Sequence, residues 1–196
     1  RRNAIRLCNP LAAEQSVMRT TLLPGLLETA SRNMSFRCLD LRLFEMRRVY
    51  RSVPGREMPH EPIYCAGVIS GMRDQEAWCR HVEAVDFFDA KGIVENLFAV
   101  LRIEGITWAA DLPEPYYHPG KCCRIMAGQT QIGSIGEIHP TVLSLYEIER
   151  PVYYFELNFE ELVQLSAQRV TIKPPSRFPD SVRDVALLAP LALPAA

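Results

Sequence analysis

The sequence has almost no net charge, and this lack excludes the simplest kind of nucleic-acid-binding protein. Its 196 residues carry 22 Lys and Arg against 23 Asp and Glu, which gives a formal net charge of -1. A domain that holds RNA or DNA through a broad basic face normally has an excess of cations, because neutralised phosphates supply most of the non-specific affinity. We therefore do not expect nucleic-acid binding to be the sole task of this chain.

Long apolar runs are missing as well. No stretch reaches the roughly 18 apolar residues that a helix needs to cross a bilayer, and the N-terminal residues contain no signal-peptide core. We expect a cytoplasmic protein without a membrane partner. Because the chain opens without Met and stops in an apolar, proline-bearing segment, we also expect it to be cut out of a longer protein.

Six cysteines are present, but their spacing is not typical of any site. They are Cys8, Cys38, Cys65, Cys79, Cys122 and Cys123. Neither a CxxC pair nor a Cys/His ligand spacing occurs, which argues against a zinc site and against a disulfide framework. We expect free, mostly buried thiols.

The residues that are present predict helices and strands in irregular alternation. Apolar residues follow helical spacing from Leu23 to Met34 after a possible N-cap at Thr21, and again from a cap at Asp86 until Gly105. Strands are predicted at 4–8, 41–50, 63–70, 106–108, 122–126, 131–138 and 152–157, with a loop at 112–121 and short helices at 140–146 and 160–165. Short connections between strands favour a largely antiparallel sheet of the α+β class.

A domain boundary is predicted near Thr171. The segment Ile-Lys-Pro-Pro-Ser at 172–176 is stiff and poor in helix formers, as an interdomain linker would be. A strand at 182–188 would then begin another unit. The predicted division is therefore a core domain at 1–171, followed by 172–196.

Several chemistry-bearing residues have an ordinary structural explanation. His118 and His139 each precede a proline, where a histidine commonly fixes a loop through backbone hydrogen bonds. Gly133 and Gly136 lie within a predicted strand, where glycine marks a bulge or a close backbone approach more often than a phosphate cradle. No catalytic triad, HExxH sequence or paired-carboxylate spacing accompanies them.

Charged clusters allow two interpretations. The arginines at 42, 47, 48 and 51 could hold phosphate, although alternating charge on an exposed strand is the commoner explanation. Asp86 and Asp89 stand where a helix N-terminus favours carboxylates, so we do not assign them to magnesium. The residues by themselves predict an α+β domain without a convincing active site.

Four stretches, taken together and in order, resemble one family. They are Asn-Pro-Leu at 9–11 with Glu-Gln-Ser-Val-Met-Arg-Thr-Thr-Leu-Leu-Pro-Gly-Leu-Leu at 14–27, Leu-Phe-Glu at 43–45 with Val-Tyr at 49–50, Val-Asp-Phe-Phe-Asp-Ala-Lys-Gly at 85–92, and Ile-Gly-Ser-Ile-Gly-Glu-Ile-His-Pro at 132–140. The combination strongly resembles the C-terminal half of the beta subunit of bacterial phenylalanyl-tRNA synthetase. Residues 176–179 and 183–186 resemble the opening of that subunit's ferredoxin-like anticodon-binding domain.

The resemblance implies a fold and a supporting role. Residues 1–171 would form a class II aminoacyl-tRNA synthetase-like core, a mostly antiparallel sheet flanked by helices, and 172–196 the linker and truncated first strand of the anticodon-binding domain. This core would be catalytically silent and would pack on the catalytic alpha subunit in an assembly of two alpha and two beta chains. That complex uses ATP and magnesium to charge tRNA(Phe) with phenylalanine, and the tRNA would contact mainly parts absent here.

The residues agree with a silent core. A class II site needs one arginine on a strand for the α-phosphate and another after a glycine-rich segment for the γ-phosphate. Arg42 and Glu45 are three apart, so strand alternation turns them to opposite faces, and no arginine follows Gly136-Glu137. We expect no catalytic, cofactor-binding or metal residue in this chain.

The candidate subunit interface is the apolar start of the first helix. Its residues are Leu22, Leu23, Leu26 and Leu27, with ordinary core packing as the alternative. Two other functions stay open, a free-standing RNA-binding module and a class II-like module that still binds ATP.

Overall fold

The described chain forms one six-stranded sheet with helices on both faces. The computed structural model describes residues 4–12, 16–74, 83–111 and 114–166, with single positions at 183, 184, 186 and 188. The elements are α1 (Leu23–Ser35), β1 (Leu41–Arg48), β2 (Ile63–Ser70), α2 (Phe87–Leu101), β3 (Ile106–Ala109), β4 (Tyr117–Ala127), β5 (Thr130–Ile138), α3 (Pro140–Ser144), β6 (Tyr153–Asn158) and α4 (Phe159–Leu165). The strand order is β1-β2-β6-β5-β4-β3, and every pairing is antiparallel. The predicted α+β class is confirmed.

Parts of the prediction fall outside these residues. Thr171, the linker at 172–176 and most of the strand at 182–188 lie outside them, so the domain division stays a prediction. None of the helices in the described part of the chain is long and apolar enough to cross a membrane. The five cysteines that the structure describes are free, as predicted, but only Cys122 and Cys123 are buried.

The hydrophobic core has two halves, one on each face of the sheet. Alternation along the strands sends side chains to both faces, and β2, β5 and β6 are largely buried. Helices α1 and α4 contact β2 from opposite faces, and α2 contacts β5 and β6. On one side, here called the α1 face, α1 and α3 pack through residues such as Leu27 and Leu143. On the other side, the α2 face, α2 and α4 pack through Phe98 and Leu162.

The start of α1 differs from the prediction. Leu22, not Thr21, is the N-cap residue, and it provides no side-chain cap. The Thr21 hydroxyl oxygen still accepts a long hydrogen bond from the backbone N–H of Leu23, at 3.4 Å, as a capping residue does. The same hydroxyl also donates to Glu156, a residue far along the chain, at 2.8 Å. The local contact that the sequence predicted is therefore joined by a shorter tertiary hydrogen bond.

The four leucines proposed for a subunit interface are buried within this chain. Leu22, Leu23, Leu26 and Leu27 are between 0% and 4% exposed and belong to the core of the α1 face. Core packing, the alternative considered for them, describes these side chains, because the helix turns its apolar stripe onto the sheet. A part in a subunit interface stays a prediction.

The start of α2 agrees with the sequence. Asp86 accepts a hydrogen bond from the backbone N–H of Asp89, and the Asp89 carboxylate accepts one from the N–H of Asp86, which makes a capping box. The helix ends at Leu101, earlier than Gly105, because Arg102 takes the left-handed conformation that ends helices.

Strand β4 begins inside the predicted loop. Tyr117 pairs with Ile138, but regular pairing resumes only at Cys122 with Gly136. The residues between include Pro119 and Gly120, which are typical of loops. Because the pairing is irregular here, the first residues of β4 show no strand-like pattern in the sequence.

The strand predicted at 4–8 is present only as one isolated bridge, between Arg6 and Val17.

Two glycines allow the central strands to approach closely. A Cβ at Gly133 would lie 2.6 Å from the carbonyl oxygen of Glu156 and 2.6 Å from Leu157 Cδ2. A Cβ at Gly136 would lie 2.5 Å from Cys122 Cβ. The close backbone approach predicted for both glycines is present, because any side chain would push β5 away from its neighbours.

Replacing Gly133 with alanine is expected to destabilise the fold. Backbone atoms of β6 cannot yield to the new methyl group, so the free energy of unfolding should fall by about 1–3 kcal/mol. Gly92→Ala is the matched control, since a Cβ there meets nothing within 4 Å. In the middle of α2 it should stabilise by about 0.5–1 kcal/mol. Denaturant unfolding of both variants measures this, and equal effects at the two glycines would contradict the close approach.

Candidate functional site

Polar side chains gather at the centre of the α1 face, where β2, β6 and β5 are neighbours. In the pairing register, Glu156 on β6 lies between Ala66 of β2 and Ser134 of β5. Alternation then places Tyr154 on the same face as Glu156. Because a class II ligase core would hold its nucleotide on the sheet, this polar centre is the candidate site.

One oxygen of Glu156 organises the cluster. Its Oε1 atom accepts hydrogen bonds from Thr21 Oγ1 at 2.8 Å, from the backbone N–H of Leu22 at 2.9 Å and from Tyr154 OH at 2.9 Å. Glu156 is only 7% exposed. A buried carboxylate is tolerated when donors surround it, and the N-terminus of α1 adds its positive end. The cluster thus ties the first turn of α1 to the middle of the sheet.

Tyrosine rings fill the space beside this carboxylate. The centroids of Tyr117 and Tyr154 lie 6.2 Å apart, and Tyr116 lies 4.8 Å from Tyr117 and 6.1 Å from Tyr154. The Tyr117 hydroxyl is 3.0 Å from Ser134 Oγ. Burial raises the pKa values of Tyr117 and Tyr154 well above 10.0. Both phenols are therefore neutral packing groups at neutral pH and not general bases.

The cavity beside the cluster is small and has more acid than base. Its volume is about 240 Å³, and it is lined by Arg51, Tyr64, Glu114, Tyr116, Gln131, Ile132, Gly133, Ser134 and Glu156. Arg51 donates a hydrogen bond to Tyr64 OH at 3.0 Å and lies 5.2 Å from the centre of its ring. Of the described lining residues, one is a cation and two are carboxylates. A triphosphate needs the opposite balance.

The other arginines of the predicted cluster do not join Arg51. Arg42 donates to the carbonyl oxygens of Ser70 and Met72. Arg47 pairs with Glu45 at 3.9 Å, and Arg48 pairs with Glu61 at 3.6 Å. Each guanidinium has a different local partner, which agrees with alternating charge along an exposed strand.

Arg42 and Glu45 lie on opposite faces of β1, as alternation predicted. Glu45 lies on the side of α1. It pairs with Arg19 at 3.3 Å, and its Oε2 atom lies 3.7 Å from where a Cβ of Gly25 would be. On β5, Glu137 pairs with Lys121 at 2.7 Å. Glu45 has both Arg19 and Arg47 beside it, and Glu137 has Lys121, so these cations are paired with carboxylates of the same chain.

The histidines bind backbone groups. His139 Nδ1 accepts a hydrogen bond from the N–H of Thr141 at 3.2 Å and so caps α3, and His118 Nδ1 lies 2.8 Å from the carbonyl oxygen of Pro119. This is the loop-fixing role predicted for both. Among the residues that the structure describes, no three His, Cys, Asp or Glu side chains are grouped so that they could hold a metal ion.

Sequence reasoning missed the residues that make up this centre. The sequence pattern predicts a strong strand for Tyr154 and Glu156 without a further role, and a cap for Thr21. A signal was available, because Glu156 is a lone carboxylate in the apolar run Tyr153-Tyr154-Phe155-Glu156-Leu157. A charge at that position must be paired when the strand is buried.

Comparisons with known proteins agree with the fold and give a family that matches the chain. A family model described as "Phenylalanyl tRNA synthetase beta chain CLM domain" matches residues 1–159. The beta subunit of phenylalanine–tRNA ligase from Geobacter metallireducens is 50% identical over 96% of this chain, and the one from Geobacter sulfurreducens is 48% identical over 100%. In both cases the match covers 24% of the relative, so the chain spans about a quarter of the length of these curated relatives.

Solved structures show the same architecture. Two structures of pyrrolysyl-tRNA synthetase from Desulfitobacterium hafniense superimpose with TM-scores of 0.56 and 0.58, at 16% identity. They cover 80% and 82% of this chain and 52% of the synthetase chain. At this identity the likeness concerns the fold alone, and it confirms the predicted class II synthetase-like core.

Changing Glu156 to Gln is expected to loosen the start of α1. An amide is neutral and presents NH₂ as well as oxygen to the donors around it, so the charge-assisted hydrogen bonds are lost and unfolding should become easier by about 2 kcal/mol. Glu57→Gln, in an exposed loop, is the control and should stay within about 0.5 kcal/mol. Denaturant unfolding and amide exchange at Leu22 measure the effect. Unchanged exchange at Leu22 would contradict the proposed tie.

The buried phenols are expected to make the fold sensitive to alkali. Because the native pKa values of Tyr117 and Tyr154 lie well above 10.0, only the unfolded chain loses these protons as the pH passes 10, so the free energy of unfolding falls. Each proton contributes up to about 1.4 kcal/mol per pH unit. Tyr117→Phe should make this fall shallower in unfolding measured from pH 9 upward. A slope equal to that of the parent chain would count against a neutral, buried Tyr117.

Proposed function

Because the chain belongs to the phenylalanyl-tRNA synthetase beta chain family, as its motifs indicated, we propose that it is the non-catalytic core of that subunit. In this proposal it packs on the catalytic alpha subunit and supports the ATP-dependent charging of tRNA(Phe) with phenylalanine. The observation that carries the proposal is the occupied sheet centre. Tyr154 and Glu156 fill the region in which a ligase core would need open space and cations.

Electrostatics supports a silent core. In the described part of the chain, the cavity beside Glu156 has Arg51 as its one guanidinium and has Glu114 and Glu156 as carboxylates. A desolvated triphosphate would be repelled by these acids unless further cations neutralised it. ATP and magnesium would therefore act at the alpha subunit.

The proposed assembly has two alpha and two beta chains, works in the cytoplasm, and contacts tRNA(Phe) mainly outside this chain. The four leucines can take part only indirectly, since their side chains are buried in the core of the α1 face. We propose that they hold α1 against the sheet and so position the exposed side of that helix. Exposed residues of that side, such as Glu28 and Arg32, would then meet the partner.

The proposal predicts binding to an alpha subunit and no binding of ATP. Mixed with the alpha subunit of the Geobacter metallireducens enzyme, the chain should co-elute in gel filtration, because a supporting core needs a stable interface. Titration of the chain alone with ATP to millimolar concentration should give no binding heat in calorimetry. Failure to co-elute would exclude the supporting role, and saturable heat would favour the alternative of a retained ATP site.

Two charge-reversal variants test which face of the sheet contacts the alpha subunit. Arg32 lies in the last turn of α1, and Arg102 ends α2 on the opposite face of the sheet. Both are exposed and close to a helix C-terminus, so Arg32→Glu and Arg102→Glu carry a similar helix-dipole cost. Arg32→Glu should weaken co-elution and Arg102→Glu should not. The reverse result would assign the contact to the α2 face.

A further inference from the structure

A larger cleft lies on the other side of the sheet, away from the polar centre, and the proposed function makes no use of it. It has a volume of about 570 Å³, within the range of small-molecule sites, and lies between the first turn of α2 and the strands β3 to β6. Its lining residues are Asp86, Phe87, Phe88, Lys91, Trp108, Ala110, Gly120, Lys121, Cys122, Cys123, Glu137 and Tyr153.

Aromatic rings form much of the cleft wall. Phe87 and Phe88 make an edge contact at 5.6 Å, and Phe88 is 71% exposed although it is a large apolar side chain. Trp108 lines the cleft from β3. A flat ring can pack against such surfaces, because aromatic groups bury large areas with little loss of side-chain freedom.

The acids of the cleft already have partners in the protein. Asp86 accepts the N–H of Asp89 and lies 3.6 Å from Arg73. Glu137 is 7% exposed and pairs with Lys121 at 2.7 Å. Both carboxylates therefore have partners within the protein, which reduces but does not remove their repulsion of an anion.

The ammonium groups keep donors for a ligand. Lys91 Nζ lies 5.1 Å from the centre of the Trp108 ring and 3.5 Å from Glu95, whose side chain is 52% exposed. Lys121 uses one of its three N–H donors for Glu137, and its side chain is 52% exposed. The groups that remain available in the cleft are therefore cations beside aromatic rings.

The inner wall adds no negative charge near neutral pH. Burial raises the pKa of Cys123 to about 11, and burial together with the Glu137 carboxylate raises the pKa of Tyr153 to about 12. Both side chains are then neutral donors. An anion that enters the cleft meets no thiolate or phenolate.

We propose that this cleft binds a flat aromatic ring that carries an anionic group, with the ring against Trp108 and Phe88 and the anion at Lys91. A carboxylate or a phosphate would satisfy the same ammonium group. Aromatic carboxylates and nucleoside monophosphates both combine such a ring with such an anion. The inference depends on the α2 face alone and does not rest on the supporting role proposed above.

The test uses Trp108 as its own reporter. The chain has two tryptophans, so Trp78→Phe leaves Trp108 as the only one. Its fluorescence is followed during titration with phenylacetate and adenosine monophosphate, each against its neutral counterpart, phenylacetamide and adenosine. We expect at least one anion to bind about threefold tighter than its neutral counterpart, the size of a partly exposed ion pair. A response to phenylacetate alone identifies the ligand class as an aromatic carboxylate, and a response to the nucleotide alone identifies it as a nucleoside monophosphate.

Variants separate the cleft from non-specific binding. Lys91→Met keeps the length and packing of the side chain over Trp108 but removes its charge, so the preference for the anion should disappear. Phe88→Ala changes an exposed side chain and should weaken the anion and its neutral counterpart alike. Arg56→Met, in an exposed loop outside the cleft lining, is the charge control and should keep the preference. No binding by either anion, or a preference that survives Lys91→Met, would overturn the proposal.

Discussion

The carboxylate of Glu156 ties the first turn of α1 to the middle of the sheet, and the whole α1 face depends on this tie. Its Oε1 atom takes three donors, two of them from the residues that lead into the helix. Without them a charge that is 7% exposed would be unpaired, which costs far more than one hydrogen bond contributes. The position of α1 therefore depends on the need to satisfy one anion as well as on the core packing of Leu22, Leu23, Leu26 and Leu27.

The two faces of the sheet put polar groups to different uses. On the α1 face, the hydroxyls of Thr21, Tyr154 and Tyr117 bond to groups of the same chain, so the centre is closed and filled. On the α2 face, Phe88 and the ammonium of Lys91 line a cleft that stays open. A closed polar cluster adds rigidity, whereas an open cleft with aromatic walls and available donors is suited to a ligand.

Local patterns predict most of the helices and strands but not all of their ends, and they do not predict contacts between distant residues. The capping box of α2 could be predicted because Asp86 and Asp89 are three residues apart, and the buried strands β2 and β6 could be predicted from their aliphatic and aromatic side chains. The tie between the start of α1 and the sheet could not be predicted, because Glu156, which accepts the hydrogen bond of Thr21, is 135 residues away. The family motifs indicated the fold as a whole. They carried no information about Tyr154 and Glu156, which lie outside the four motifs and decide what the sheet centre can hold.

A class II-like core can lose its nucleotide site without losing stability, if the vacated space is filled. An empty cavity at the centre of a sheet costs stability in proportion to its volume. Here Tyr117 and Tyr154 fill the space with large rings, each at most 1% exposed, and their hydroxyls find partners. In the proposed silent core, Glu156 completes the packing and would bring a negative charge close to that of a nucleotide. The residues that stabilise the fold would then also disfavour ATP, so a core of this kind would need more than one added arginine to bind it.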